Sequence, residues 1–159
     1  MARPPRLGYV RSGQCFFITS CTHEKRRLFQ RAALAELFIE TFLAYRDQGF
    51  FKVHAFVLMP DHFHCLITPA DEQTIERCLQ RIKGGFSARV KKEMDNNISI
   101  WQKGFTDRRI RDRGEYDSCL EYIDLNPLRA GLIREGELYP YCSLNPKYRM
   151  DEPPSYLNG

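Results

Sequence analysis

Long apolar runs are missing from this 159-residue chain. No window approaches the roughly 18 uninterrupted apolar residues that a membrane span needs, so a globular protein is expected. Behind the N-terminal Arg3, Arg6 and Arg11 the apolar run is only Cys15-Phe16-Phe17-Ile18, too short for a secretory core, and the expected location is the cytoplasm. No C-x-x-C pair occurs among the six cysteines (Cys15, Cys21, Cys65, Cys78, Cys119 and Cys142), which sit inside apolar patterns and read as buried reduced thiols. Neither sign of charge dominates: 24 basic residues against 20 acidic give +4, which permits an anionic partner without requiring one. Repeats, low-complexity tracts and linkers are also absent. A single domain over 1–159 is expected, with a basic arm at 1–12 and a mobile, proline-marked tail at 146–159.

What is present alternates strand and helix patterns. Cys15 to Cys21 is aromatic and β-branched, the composition of a strand. From Ala32, apolar residues at Leu34, Leu37, Phe38, Phe42 and Tyr45 recur at helical spacing until Gln48-Gly49 stops them. Val53 to Met59 and His62 to Thr68 flank Pro60-Asp61 and predict a tight hairpin. Straight alternation puts His54, Phe56 and Leu58 on the face of Phe63, Cys65 and Ile67. A second helical stripe, Ile75 to Val90, contains Gly84-Gly85, which invites a kink or a close approach. The basic stretch Arg108-Arg109-Ile110-Arg111-Asp112-Arg113 predicts an edge strand. A third helix is expected from about Tyr116 to Asn126, where Pro127 disfavours helical geometry in the residue before it. Strand, helix, strand, strand, helix, strand with one more helix predicts an α+β sandwich of the ferredoxin-like, split βαβ type, with an antiparallel sheet and an appended C-terminal helix.

Two segments carry candidate chemistry. In Met59-Pro60-Asp61-His62-Phe63-His64-Cys65 the two histidines are two apart on a strand, so both imidazoles face one side and form half a metal site. The other reading of this pair is a partly exposed sheet face with no ligand. In Tyr122-Ile123-Asp124-Leu125-Asn126-Pro127 a phenol and an amide are stacked one helical turn apart. The first is a possible covalent nucleophile and the second a hard neutral ligand; the other reading is an aromatic packed on the sheet and a capping asparagine. At about 100° per residue, Asn126 lies about 40° round from Tyr122 but about 80° the other way from Tyr116.

Taken together these segments resemble the single-tyrosine HUH transposases, most closely the REP-associated tyrosine transposases. The likeness is carried by Leu58-Met59-Pro60-Asp61-His62-Phe63-His64, by Trp101-Gln102 with Phe105-Thr106-Asp107, and by Tyr122 through Leu132. It implies that His62 and His64 bind a divalent Mg²⁺ or Mn²⁺, and that Asn126 stands at the third, amide ligand, where related insertion-sequence enzymes have glutamine. It also implies that Tyr122, on the appended helix, is the nucleophile that cuts and rejoins single-stranded DNA near hairpins through a 5′-phosphotyrosine. The expected partner is single-stranded or hairpin DNA, taken by a monomer or homodimer without a membrane. Phosphate contacts are expected from Arg77, Arg81, Lys83 and Arg89 on the second helix and from Lys103, Arg108, Arg109 and Arg111 after it. Trp101 and Phe105 suit base stacking but are better read as core. Two other classes use the same residues: a non-catalytic or domesticated hairpin-binding module, and a zinc hydrolase. The latter lacks an H-E-x-x-H helix and a third ligand of the usual type.

Overall fold

The computed structural model describes residues 13–95 and 97–158, so the expected basic arm at 1–12 lies outside the described residues. Four strands, β1 (Phe16–Cys21), β2 (Phe51–Met59), β3 (His62–Pro69) and β4 (Thr106–Arg109), alternate with α1 (Ala32–Asp47), α2 (Ile75–Met94) and α3 (Arg113–Arg129). The sheet runs β2-β3-β1-β4 with every pairing antiparallel, the expected split βαβ arrangement. One side carries α1 and α2 over a core that includes Phe38, Phe42, Phe63, Cys65, Ile82 and Phe86, with Trp101 and Phe105 packed against it. The other side carries α3, whose Tyr116, Cys119 and Ile123 bury Ala55, Val57 and Leu66. All six cysteines are unpaired, and five are buried.

Local chemistry sets the ends of the helices. α1 stops where Gly49 takes φ +90°, with Gly49 N–H donating to Arg46 O (2.9 Å) and Phe50 N–H to Tyr45 O (3.2 Å). This is a Schellman cap, closed by the Tyr45–Phe50 ring contact. Asp112 Oδ1 accepts Glu115 N–H (2.8 Å) and starts α3 at Arg113, three residues before the sequence expectation. The same helix does not end at Asn126 but continues through Pro127 to Arg129. Gly131 (φ +76°) closes it, with Gly131 N–H bonding Leu128 O and Leu132 N–H bonding Pro127 O, so a proline without a donor near a helix end is outweighed by a complete cap. α2 runs unbroken through Gly84-Gly85; the glycine hydrogen at Gly85 lets the Tyr45 ring of α1 sit where a side chain would collide.

One expectation is overturned in β2. A bulge between Val53 and Ala55 shifts the register, so Val53 pairs with Ile67 while Ala55 pairs with Leu66. Val53 and Phe56 therefore face α1 and α2, whereas the His54 ring contacts Tyr116 of α3 and bonds Thr68 Oγ1 (2.7 Å). His54 is not the core-side neighbour of Cys65 that straight alternation gives. The edge strand is also shorter and earlier than the basic stretch, ending at Arg109. Beyond α3, the chain lies along the outer edge of β2: Leu58 N–H donates to Tyr141 O (2.8 Å), Ser143 N–H to Phe56 O (2.9 Å) and Asp151 N–H to Val53 O (2.7 Å). Val53 N–H in turn donates to Asp151 Oδ2 (2.8 Å).

Burial holds the His54 pKa below the usual imidazole value, so the folded state favours the neutral ring. The unfolded chain then binds more protons, and the stability that His54 contributes is complete above about pH 6.5 and lost as pH falls below it toward the lowered folded value. Urea unfolding at about pH 7 and about pH 5 should show a smaller pH dependence in His54→Asn than in the wild type. An identical dependence would show that this ring is not desolvated.

Candidate functional site

The two-residue turn at Pro60-Asp61 places Met59 opposite His62 and fixes the register of β3 against β2. On its other side β3 pairs with β1, with His64 opposite Thr19 and Leu66 opposite Phe17. Since opposite residues share a face, His62, His64, Thr19 and Phe17 all look toward α3, as the two-residue spacing predicts for the histidines. Their rings lie 4.8 Å apart, centroid to centroid.

Each imidazole is held at its Nδ1. His62 Nδ1 lies 2.6 Å from Asp61 Oδ1, and His64 Nδ1 lies 2.8 Å from Thr19 Oγ1. His64 Nε2 is buried and has no hydrogen-bond partner. Burial, reinforced by the neighbouring His62, lowers the His64 pKa to about 4, so at neutral pH its ring is uncharged and keeps a lone pair. A neutral ring with an unsatisfied buried nitrogen is able to act as a metal ligand.

α3 brings the tyrosine to this pair. The His64 ring meets Phe17, stacked at 5.4 Å, and Tyr122, edge-on at 5.2 Å. Phe17 also meets Tyr122 at 6.0 Å, so the three rings form one cluster. Tyr122 remains 44% exposed, while Tyr116, two turns earlier, is only 3% exposed and lies against His54. Burial pushes the Tyr116 hydroxyl up to about 12. The competing tyrosine is thus a core residue. Asn126 follows Tyr122 by one helical turn and is half-buried. Among the described residues no three His, Cys, Asp or Glu side chains converge on a possible metal position. Two imidazoles and an amide oxygen would be neutral donors, a set closer to that of an oxygen-seeking divalent cation than to the ligands of structural zinc.

A sequence profile described as "Transposase IS200 like" matches residues 14–126, a span that takes in the histidine strand, the tyrosine helix and Asn126. The chain belongs to the IS200-like transposase family. The REP-associated tyrosine transposase of Escherichia coli K12 is 25% identical over 143 residues, covering 88% of this chain and 81% of that protein. A solved structure of a REP-associated tyrosine transposase bound to a REP hairpin superposes with a TM-score of 0.75 at 21% identity, covering 92% of this chain and 84% of that one. A candidate transposase from Deinococcus radiodurans R1 gives a TM-score of 0.54 at 15% identity, over 77% of this chain and 96% of the other. These structures share the fold.

In this IS200-like transposase the basic residues divide between two faces. Arg108 lies opposite Phe17 and shares the site's face, whereas Arg109 lies opposite Phe16 on the α1–α2 side. Lys103 and Arg111 are exposed on either side of β4. Arg77, Arg81, Lys83 and Arg89 all belong to α2, across the sheet from the histidines. Three of these are engaged in structure. Lys83 Nζ donates to Gln102 O (3.0 Å) and Gly104 O (2.8 Å), fastening the loop ahead of β4. Arg89 pairs with Glu93 (3.0 Å) and Glu40 (3.2 Å). Arg81 lies over the Phe50 ring at 3.9 Å. No helix among the described residues is long and apolar enough to cross a membrane. The sequence reading did not include Phe17, Thr19 and Asp61 in the site; only Asp61, next to His62, carried a visible signal.

The contrast between the tyrosines is measurable without any substrate. Tyr116→Ala should cost roughly 3–5 kcal/mol, as for other large buried rings. Tyr122→Phe should fall within about 0.5 kcal/mol of the wild type. Equal losses in chemical denaturation would contradict the placement of Tyr116 in the core.

Proposed function

We propose that this transposase cleaves and rejoins single-stranded DNA beside hairpins through a 5′-phosphotyrosine at Tyr122, with a divalent cation held by His62, His64 and Asn126. The observation that carries this reading is an exposed tyrosine standing edge-on to a histidine whose buried Nε2 has no partner. The relative solved with a REP hairpin, together with the family, supports hairpin DNA as the substrate class.

The chain's residues divide the work as follows. Tyr122 Oη attacks the phosphorus of a phosphodiester, forming a P–Oη bond while the P–O3′ bond breaks. The phenolic proton passes to solvent, to which Tyr122 is open, and the departing 3′ oxygen takes up a proton to become a free hydroxyl. His62, His64 and Asn126 would hold a divalent Mg²⁺ or Mn²⁺, which would supply Lewis-acid polarisation of a phosphate oxygen. The three ligands carry no negative charge of their own, so the site stays attractive to a phosphate. The phosphotyrosine ester retains the energy of the broken bond, and attack by a 3′ hydroxyl reseals DNA without a nucleotide cofactor. The scaffold's contribution is positioning: Phe17 and His64 hold the tyrosine ring against the ligand pair.

Of the two basic faces, the one holding Arg108 is continuous with the tyrosine. Substrate passes along this face, with Lys103 and Arg111 flanking it and the α2 residues Arg77, Arg81, Lys83 and Arg89 meeting phosphates farther from the cut.

Incubation with a hairpin-bearing oligonucleotide and Mn²⁺ should give a covalent adduct through a 5′-phosphate, mapped by peptide mass to Tyr122. Tyr122→Phe should bind the same DNA nearly as well and leave it uncut. An adduct on another residue, or cleavage by Tyr122→Phe, would remove the nucleophile assignment; full cleavage by chelated protein would remove the metal.

Salt dependence tests the DNA path. Neutralising Arg108 should flatten the slope of log affinity against log salt by roughly 0.7 if it meets a single-stranded phosphate. An unchanged slope would move the path off this face.

A further inference from the structure

Both histidines are gripped at Nδ1, and the two grips come from different elements. Asp61 belongs to the hairpin turn, while Thr19 belongs to β1, directly opposite His64. The turn itself is held firmly. Asp61 O accepts Thr22 N–H (2.9 Å) and Thr22 Oγ1–H (3.0 Å), and Pro60 O accepts Phe29 N–H (3.0 Å). Thr22 is fully buried, so the loop after β1 clamps the residue whose carboxylate touches His62.

We infer that Asp61 and Thr19 are positioning residues that fix His62 and His64 as Nδ1–H tautomers, leaving both Nε2 lone pairs free on the face that carries Tyr122. An ionised carboxylate only accepts hydrogen bonds, so the proton in the 2.6 Å contact belongs to His62 Nδ1. Thr19 can donate or accept, and the surroundings of His64 decide between the two. If Thr19 donated, the ring proton would sit on Nε2, a buried donor with nothing to receive it. If His64 Nδ1–H donates to Thr19, the atom left over is a lone pair, which a cation satisfies. Carboxylate and hydroxyl partners of this kind set ring orientation and basicity in metal sites, and their loss weakens metal binding.

The inference rests on the metal reading of His62 and His64, but its first test needs no metal. Long-range ¹H–¹⁵N correlation spectra of the metal-free, full-length protein at neutral pH report the tautomer of each ring. The wild type should show Nδ1–H for both histidines. Asp61→Ala should release His62 to a mixture and leave His64 unchanged, and Thr19→Val should do the reverse. Asp61→Asn and Thr19→Ser, which keep an acceptor in place, should restore the wild-type pattern.

Calorimetric titration with Mn²⁺ should then show affinity lower by roughly 10- to 100-fold in Asp61→Ala and Thr19→Val, recovered largely in the conservative variants. Circular dichroism melts confirm that each variant is folded. Nε2–H tautomers in the wild type, or folded Asp61→Ala and Thr19→Val proteins with unchanged tautomers and Mn²⁺ affinity, would overturn the inference. Nδ1–H tautomers that respond as described support the positioning roles. If the wild type nevertheless took up no Mn²⁺, the failure would belong to the metal reading.

Discussion

The register of β3 between its two neighbours is the constraint on which the site depends. Side chains alternate across a strand, so a slip of one residue would carry His62 and His64 to the phenylalanine core and bring Phe63 and Cys65 out toward α3. The two-residue turn fixes β3 against β2, and the Thr22 bonds to Asp61 O fix it against the end of β1. The large rings behind it make a slip costly. Phe63 is buried against Phe38, Phe42 and Trp101, and none of these would accept an imidazole without a hydrogen-bond partner. The α1–α2 core therefore serves the opposite face, by deciding which side of β3 is free for chemistry.

A second dependence runs through α3. Tyr116, Cys119 and Ile123 are buried on the sheet, and this stripe sets the helix rotation that leaves Tyr122 at the rim beside His64. Phe17 fills the space between strand and helix, touching both rings. Asp124, two residues on, is half-buried, and desolvation raises its pKa; the helix thus carries polar groups partly into the interface.

The hairpin, both long helices and the shared face of the two histidines were legible because each is written locally: an apolar period, a Pro-Asp turn, a two-residue spacing; the meeting of Tyr122 with His64 was expected only from the family resemblance. The errors have equally specific causes. His54 changed faces because a bulge breaks alternation without a glycine to mark it. α3 outran Pro127 because Gly131, four residues later, completes a cap that the proline alone does not reveal. Its start at Arg113 was readable in Asp112-x-x-Glu115, a side-chain cap signal outweighed by the basic run around it. Thr19 was not legible as a partner of His64: the two are 45 positions apart, and only the strand order joins them. The side of the sheet that each basic residue occupies was not legible, because a charge count does not record it.

The segment laid along β2 also orders events in time. Tyr141, Ser143 and Asp151 supply the partners for the outer edge of β2, and Tyr139 Oη donates to Leu58 O (2.7 Å). During synthesis that edge, part of the most apolar hairpin in the chain, stays bare until more than eighty further residues have been made after Leu58. A nascent chain with β1, β2 and β3 already paired would offer an open strand to any other nascent chain nearby. The strap that follows α3 thus closes a window of intermolecular pairing only once it has been made. Shortening it would be felt first as a loss of soluble yield, with the histidines and Tyr122 untouched.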